Sequence, residues 1–132
     1  MKIEVRKLNA QKKYEGEFAF DYEPSENLSL LPFCELTEIK VTGNYEIYED
    51  GEVSVVFTVK YRLSGKCSYC LEPAEKRVTF DSEVLFVPRT DEDNYKYDGI
   101  TINLEPAVKD AILISQPSVL LCREDCTGID VE

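Results

Sequence analysis

A chain of 132 residues with 43% hydrophobic content, eight Tyr and six Phe has the size of one ordinary domain and enough apolar mass to bury a core without staples. Its formal charge of -11 excludes a uniformly basic nucleic-acid binder, and the lack of any histidine removes the commonest general base and every Cys-His dyad. No apolar run approaches the roughly 20 residues of a membrane helix, and the opening MKIEVRKLNAQKKYEGEF lacks the apolar stretch of a signal peptide, so a cytoplasmic protein is expected.

In chain order, Ile3 to Arg6 and Tyr14 to Tyr22 read as short strands, the second with Tyr14, Phe18 and Phe20 on one side. Ile39, Val41, Gly43, Tyr45 and Ile47 then alternate with polar residues, and Val53, Val55, Phe57, Val59, Tyr61 and Leu63 repeat the pattern. A two-residue turn between them would set Ile47 opposite Ser54. A three-residue loop, Glu49-Asp50-Gly51, pairs Ile47 with Val53 and Tyr45 with Val55, and the buried face selects it. Gly51 is then expected in the left-handed conformation, where it has no side chain to clash.

Val78, Phe80, Val84 and Phe86 form a further strand, with Leu85 and Val87 on its other face. Residues 90 to 99 read as a charged loop, and Ile100 to Ile102 as a short strand. Asn103 as a cap, Pro106 in the first turn, and Leu104, Ala107, Val108, Ala111 and Ile112 at helical spacing predict a helix that Pro117 ends. The run SVLL after it looks strand-like. The fold class expected is mainly β (α+β), an antiparallel sheet or partly open barrel with one C-terminal helix packed on it, in a single domain spanning residues 1 to 132.

Cys67 and Cys70 lie in the connection that would cap the second hairpin, and Cys122 and Cys126 follow the helix. Two short-spaced pairs suit four-thiolate zinc, because a tight turn places two sulfurs on one edge of a tetrahedron with bonds of about 2.3 Å. Buried inert thiols and a Cys67/Cys70 redox pair remain as alternatives. A reactive dithiol, however, favours the start of a helix, and this one joins two strands. Isolated Cys34 reads as core. Asp91, Glu92 and Asp93 match no calcium loop and read as a solvated loop.

The charge is unevenly spread. Lys60, Arg62, Lys66, Lys76 and Arg77 face only Glu72 and Glu75 between residues 60 and 77, whereas residues 81 to 132 hold twelve acids and four bases. A solvated hairpin face accounts for the basic segment most simply. As a contact surface it would comprise those five cations, with Tyr69 at the exposed tip to stack on a base or pack on a protein.

CSYCLEP after a strand, then INLEPAVKDAILISQPSVLLC and CREDCTG, resemble the YceD-like family of bacterial and plastid proteins named for large-subunit ribosomal RNA accumulation. The order and spacing match over residues 38 to 129. Two departures stand out: Tyr69 replaces an Arg common between the first two cysteines, and Asp130 stands where many members carry another cysteine. The resemblance implies a non-catalytic role in accumulation or processing of the large-subunit (23S) ribosomal RNA. The expected partner is pre-ribosomal RNA or a large-subunit ribosomal protein, the latter favoured by the overall acidity. The alternative function is a thiol-disulfide oxidoreductase or thiol sensor using Cys67 and Cys70.

Overall fold

A computed structural model describes residues 2–24, 26–31, 33–89, 94–117 and 119–122. Strand β1 (Lys2–Glu4) leads into helix α1 (Val5–Ala10), followed by β2 (Glu15–Asp21), β3 (Cys34–Ile47), β4 (Val53–Lys66), β5 (Pro73–Val87), β6 (Tyr95–Lys96), β7 (Thr101–Asn103) and helix α2 (Glu105–Ser115). The main sheet has the order β2-β3-β4-β5-β6, antiparallel except for β6, which runs parallel to the end of β5. It is an open sheet, not a closed barrel. β1 and β7 form a separate antiparallel pair.

The first hairpin has the expected register, with Ile47 opposite Val53 and Tyr45 opposite Val55. The Tyr48 N–H donates to the Glu52 carbonyl at 2.8 Å and the Gly51 N–H to the Tyr48 carbonyl at 3.1 Å, which leaves Glu49-Asp50-Gly51 as the loop. Gly51 has φ +87°, where any side chain would strain the backbone. Further along, the β3–β4 register shifts between Thr37 and Lys40, and Glu38 takes φ +53°. This bulge reverses the parity of β3, so Cys34 and Leu36 face the same side as Val41 and Tyr45 although the count between them is odd.

On that side Val41, Val53, Val55, Phe57, Val59 and Tyr61 make the floor of the core. Helix α2 covers it by packing against β4 and β5, burying Ala107, Val108, Ala111 and Ile112. As expected, the Asn103 side chain accepts the Glu105 N–H at 3.1 Å, Pro106 lies in the first turn, and the helix stops before Pro117. Ile3, Val5, Ile102 and Leu104 join the same core.

Several expectations need correction. Arg6 belongs to a helix, α1, not to a strand. Its single turn and a half buries only Val5, too little periodicity to read from sequence. Tyr14 precedes its strand and is exposed. Within the stretch read as a charged loop, Tyr95–Lys96 pairs with β5, while Asp91, Glu92 and Asp93 lie outside the described residues. Residues 119 to 122 form no strand. Among the described residues no helix is long and apolar enough to cross a membrane.

Tyrosines tie α2 to its surroundings. The Tyr61 hydroxyl meets that of Ser115 at 2.8 Å, and Tyr95 donates to the Asp110 carboxylate. Tyr22 is buried close to the carboxylates of Glu105 and Glu26. Burial first, and those carboxylates second, push Tyr22 up to about 12; burial and then Asp110 push Tyr95 up to about 12. A phenol raised in the folded state binds its proton more tightly there than in the unfolded chain, whose phenols titrate near 10. Its stabilising contribution is therefore complete below pH about 10 and is lost as the pH rises towards 12. Unfolding free energy should stay level up to about pH 10 and then fall, and Tyr22→Phe and Tyr95→Phe should each flatten that fall. Denaturant titrations across the alkaline range check this, with tyrosinate absorbance unobscured because the chain has no tryptophan.

Candidate metal centre and charged sheet face

The turn between β4 and β5 is built by its own backbone. The Cys67 N–H donates to the Glu72 carbonyl at 2.7 Å, and the Leu71 N–H donates to the Cys67 carbonyl at 3.0 Å, folding Ser68, Tyr69 and Cys70 into a tight reversal. Closing it puts Leu71 at φ +63°, a left-handed position occupied here by a residue with a full side chain. The C-terminal segment is fastened to this turn at Ser68, whose N–H donates to the Leu120 carbonyl at 2.7 Å and whose Oγ accepts the Leu120 N–H at 2.9 Å. Leu120 is buried beside Cys34 and Leu63. Upstream, Gln116 is held twice, accepting the Leu30 N–H at 2.8 Å and donating to the Leu28 carbonyl at 2.7 Å.

These fastenings bring Cys122 to the first pair. The Sγ atoms of Cys67, Cys70 and Cys122 all lie within 4.8 Å of one another, with Cys70 and Cys122 3.4 Å apart. A tetrahedral zinc with bonds of about 2.3 Å needs sulfurs about 3.8 Å apart, a separation these two values bracket. Cys67 is completely buried, Cys70 half-buried and Cys122 exposed, and no disulfide joins the described cysteines. Cys126 and Arg123, whose charge would help balance a thiolate cluster, lie outside the described residues. Cys34 is in the core, as expected, and is not part of the thiol group.

The side of the sheet away from α2 carries the charge. The register sets Lys40 directly opposite Lys60, and Arg62 directly opposite Arg77 one row further on. Like charges facing each other across a strand pair cost stability, on the order of a few tenths of a kcal/mol per pair. Arg62 is paired with Glu75 at 2.6 Å and Arg77 with Glu38 at 3.4 Å, but Lys40 and Lys60 make no ion pair among the described residues. A hollow of 610 Å³ crosses these strands, lined by Lys40, Lys60, Arg77 and Thr79 together with Asp21 and Glu38. At the opposite end of the same face stand Glu15, Glu17, Glu46, Asp81 and Glu83. The cations of this face therefore gather at one end, interleaved with Asp21, Glu38 and Glu75.

Of the side chains singled out by sequence, Lys60, Arg62, Lys66 and Arg77 share this face. Lys76 does not: it pairs with Leu63 and so points to the opposite side. Tyr69 is about half exposed in the cysteine turn. Lys40 was overlooked, yet the register that places Tyr45 on Val55 also places Lys40 on Lys60. Leu71→Gly should relieve the left-handed strain and raise stability by up to about 1 kcal/mol, whereas β-branched Leu71→Val should lower it. Thermal unfolding midpoints of the two variants check this.

No curated protein and no solved structure matches the chain. The family model of the large ribosomal RNA subunit accumulation protein YceD matches residues 55–132, a range that takes in most of β4, all of β5, α2 and both cysteine pairs. That is more than half of the sequence, carrying the turn and the helix-to-cysteine connection just described, and the chain belongs to this family.

Proposed function

We propose that the chain, acting as one domain, supports accumulation of the large-subunit ribosomal RNA by binding rather than catalysis, with the cationic end of the open sheet face gripping the RNA backbone. The observation that carries this reading is the pair of like-charged rows, Lys40 opposite Lys60 and Arg62 opposite Arg77. Glu75 and Glu38 offset the Arg62 and Arg77 row, whereas the Lys40 and Lys60 row has only Asp21 opposite Lys40, so a bound anion relieves that row. The acidic end of the face supports a large-subunit ribosomal protein as a second partner, since such a surface attracts cationic ones.

Cys67, Cys70 and Cys122 would hold zinc, with Cys126 as the fourth ligand. The ion would supply structure, fixing the C-terminal segment against the β4–β5 turn. A thiol-disulfide function of Cys67 and Cys70 has less support. Cys67 is completely buried, and Cys70 has the Cys122 sulfur at 3.4 Å, a contact from outside the pair.

Elemental analysis should find one zinc per chain, and Cys67→Ser or Cys122→Ser should abolish it and lower the unfolding midpoint. In binding titrations with transcribed large-subunit RNA fragments, Lys40→Gln and Lys60→Gln should each weaken affinity. Each should also reduce the dependence of log K on log salt by about 0.7, the share of one phosphate contact on a single strand. Unchanged salt dependence in both variants would remove the cationic rows from the interface.

A further inference from the structure

Phe33 is the most exposed aromatic side chain among the described residues, at 73%. It does not sit there by default. Its backbone takes φ +61°, an unfavourable conformation for a residue with a side chain, and the surroundings enforce it. A Cβ on Gly65 would come within 2.3 Å of the Phe33 carbonyl oxygen, so only glycine allows the chain to enter β3 here. The next residue is pinned as well: the Cys34 carbonyl accepts from the Asn27 side chain at 2.9 Å, and its side chain is buried against Leu63 and Leu120. Phe33 is thus held out from the sheet by a rigid neighbour.

Its position is informative. Cys34 pairs with Gly65, so Phe33 falls alongside Lys66, whose Nζ lies 5.4 Å from the ring centroid. Lys66 alternates along β4 onto the face that carries Lys60 and Arg62, about 20 Å from Lys60 at the rise of an extended strand. Between them lie Glu35, Ser64 and Glu75, the last neutralised by Arg62 at 2.6 Å. A ligand running along the face would meet cationic side chains at one end and a flat, stackable ring at the other.

From this juxtaposition we propose that Phe33 is a stacking platform for an unpaired RNA base, which makes single-stranded RNA the ligand of the whole face. Duplex RNA keeps its bases inside, beyond the reach of an aromatic ring, whereas unpaired bases splay out and stack on one. An apolar protein anchor would instead need a desolvated rim around the ring, and here the Lys66 ammonium lies against it. The proposal rests on the RNA-binding reading above and narrows it to unpaired segments.

The test uses a single-stranded oligoribonucleotide and the duplex formed from it and its complement. Wild type should prefer the single strand. Phe33→Ala should lose about 5- to 150-fold in single-strand affinity with an unchanged salt dependence, which distinguishes stacking from phosphate contact. Phe33→Trp should retain binding, and because the chain otherwise has no tryptophan its fluorescence should be quenched as the base stacks. Equal single-strand affinity of wild type and Phe33→Ala, or an unquenched tryptophan in an RNA-bound Phe33→Trp, would overturn the platform while leaving the cationic grip intact. Failure of wild type to bind either form of RNA would overturn both readings. Loss of a large-subunit ribosomal protein by Phe33→Ala with RNA binding unaltered would assign the ring to a protein contact instead.

Discussion

Strand β4 is hydrogen-bonded along both edges, to β3 from Val53 through Gly65 apart from the bulge, and to β5 from Val53 through Lys66. A slip of one residue on either edge would turn Val53, Val55, Phe57, Val59 and Leu63 towards solvent and drive Lys60 and Arg62 into the core. Burial of those five apolar side chains therefore fixes the location of the charges on the other side. The Glu49-Asp50-Gly51 loop sets one edge and the cysteine turn closes the other. Core packing and surface electrostatics here follow from one register.

The cysteine cluster depends on the same strand in a different way. Cys67 begins where β4 ends, so its depth is given by the sheet, and its N–H bond to the Glu72 carbonyl, with the Leu71 N–H bond to its own carbonyl, then brings Cys70 round. Cys122 arrives from the far end of the chain, guided by Gln116, by the burial of Leu120 and by the double contact with Ser68. Since the same hairpin carries Arg62, Lys66 and Arg77, order imposed at the thiols is passed directly to the charged face.

Much of this was legible from residue order, and the failures have physical causes. Alternation of apolar residues around Asp50-Gly51 was sufficient to choose the loop, and with it the whole β3–β4 register down to Lys40. Asn103, Pro106 and the helical spacing that follows them located α2. The bulge at Glu38 was not legible, because it exchanges inward and outward positions and breaks the period that strand reading relies on. Helix α1 and strand β6 are six and two residues long and exist through tertiary contacts, not local pattern. The convergence of Cys122 with Cys67 and Cys70 was suggested by spacing, but the contact that delivers it, Ser68 with Leu120, joins two positions that no local rule connects. Phe33 escaped notice because its exposure follows from Gly65, a residue far along the chain.

The cations gathered at one end of this sheet face and the acids at the other give the face an electric dipole along its strands. In the field of a polyanion such a face experiences a torque before contact, turning its Lys40 and Lys60 end inward and its Gly51 hairpin outward. Encounters would then begin already aligned, and since the aligning field extends only about 10 Å at ordinary ionic strength, the final orientation is chosen within roughly a quarter of the length of β4.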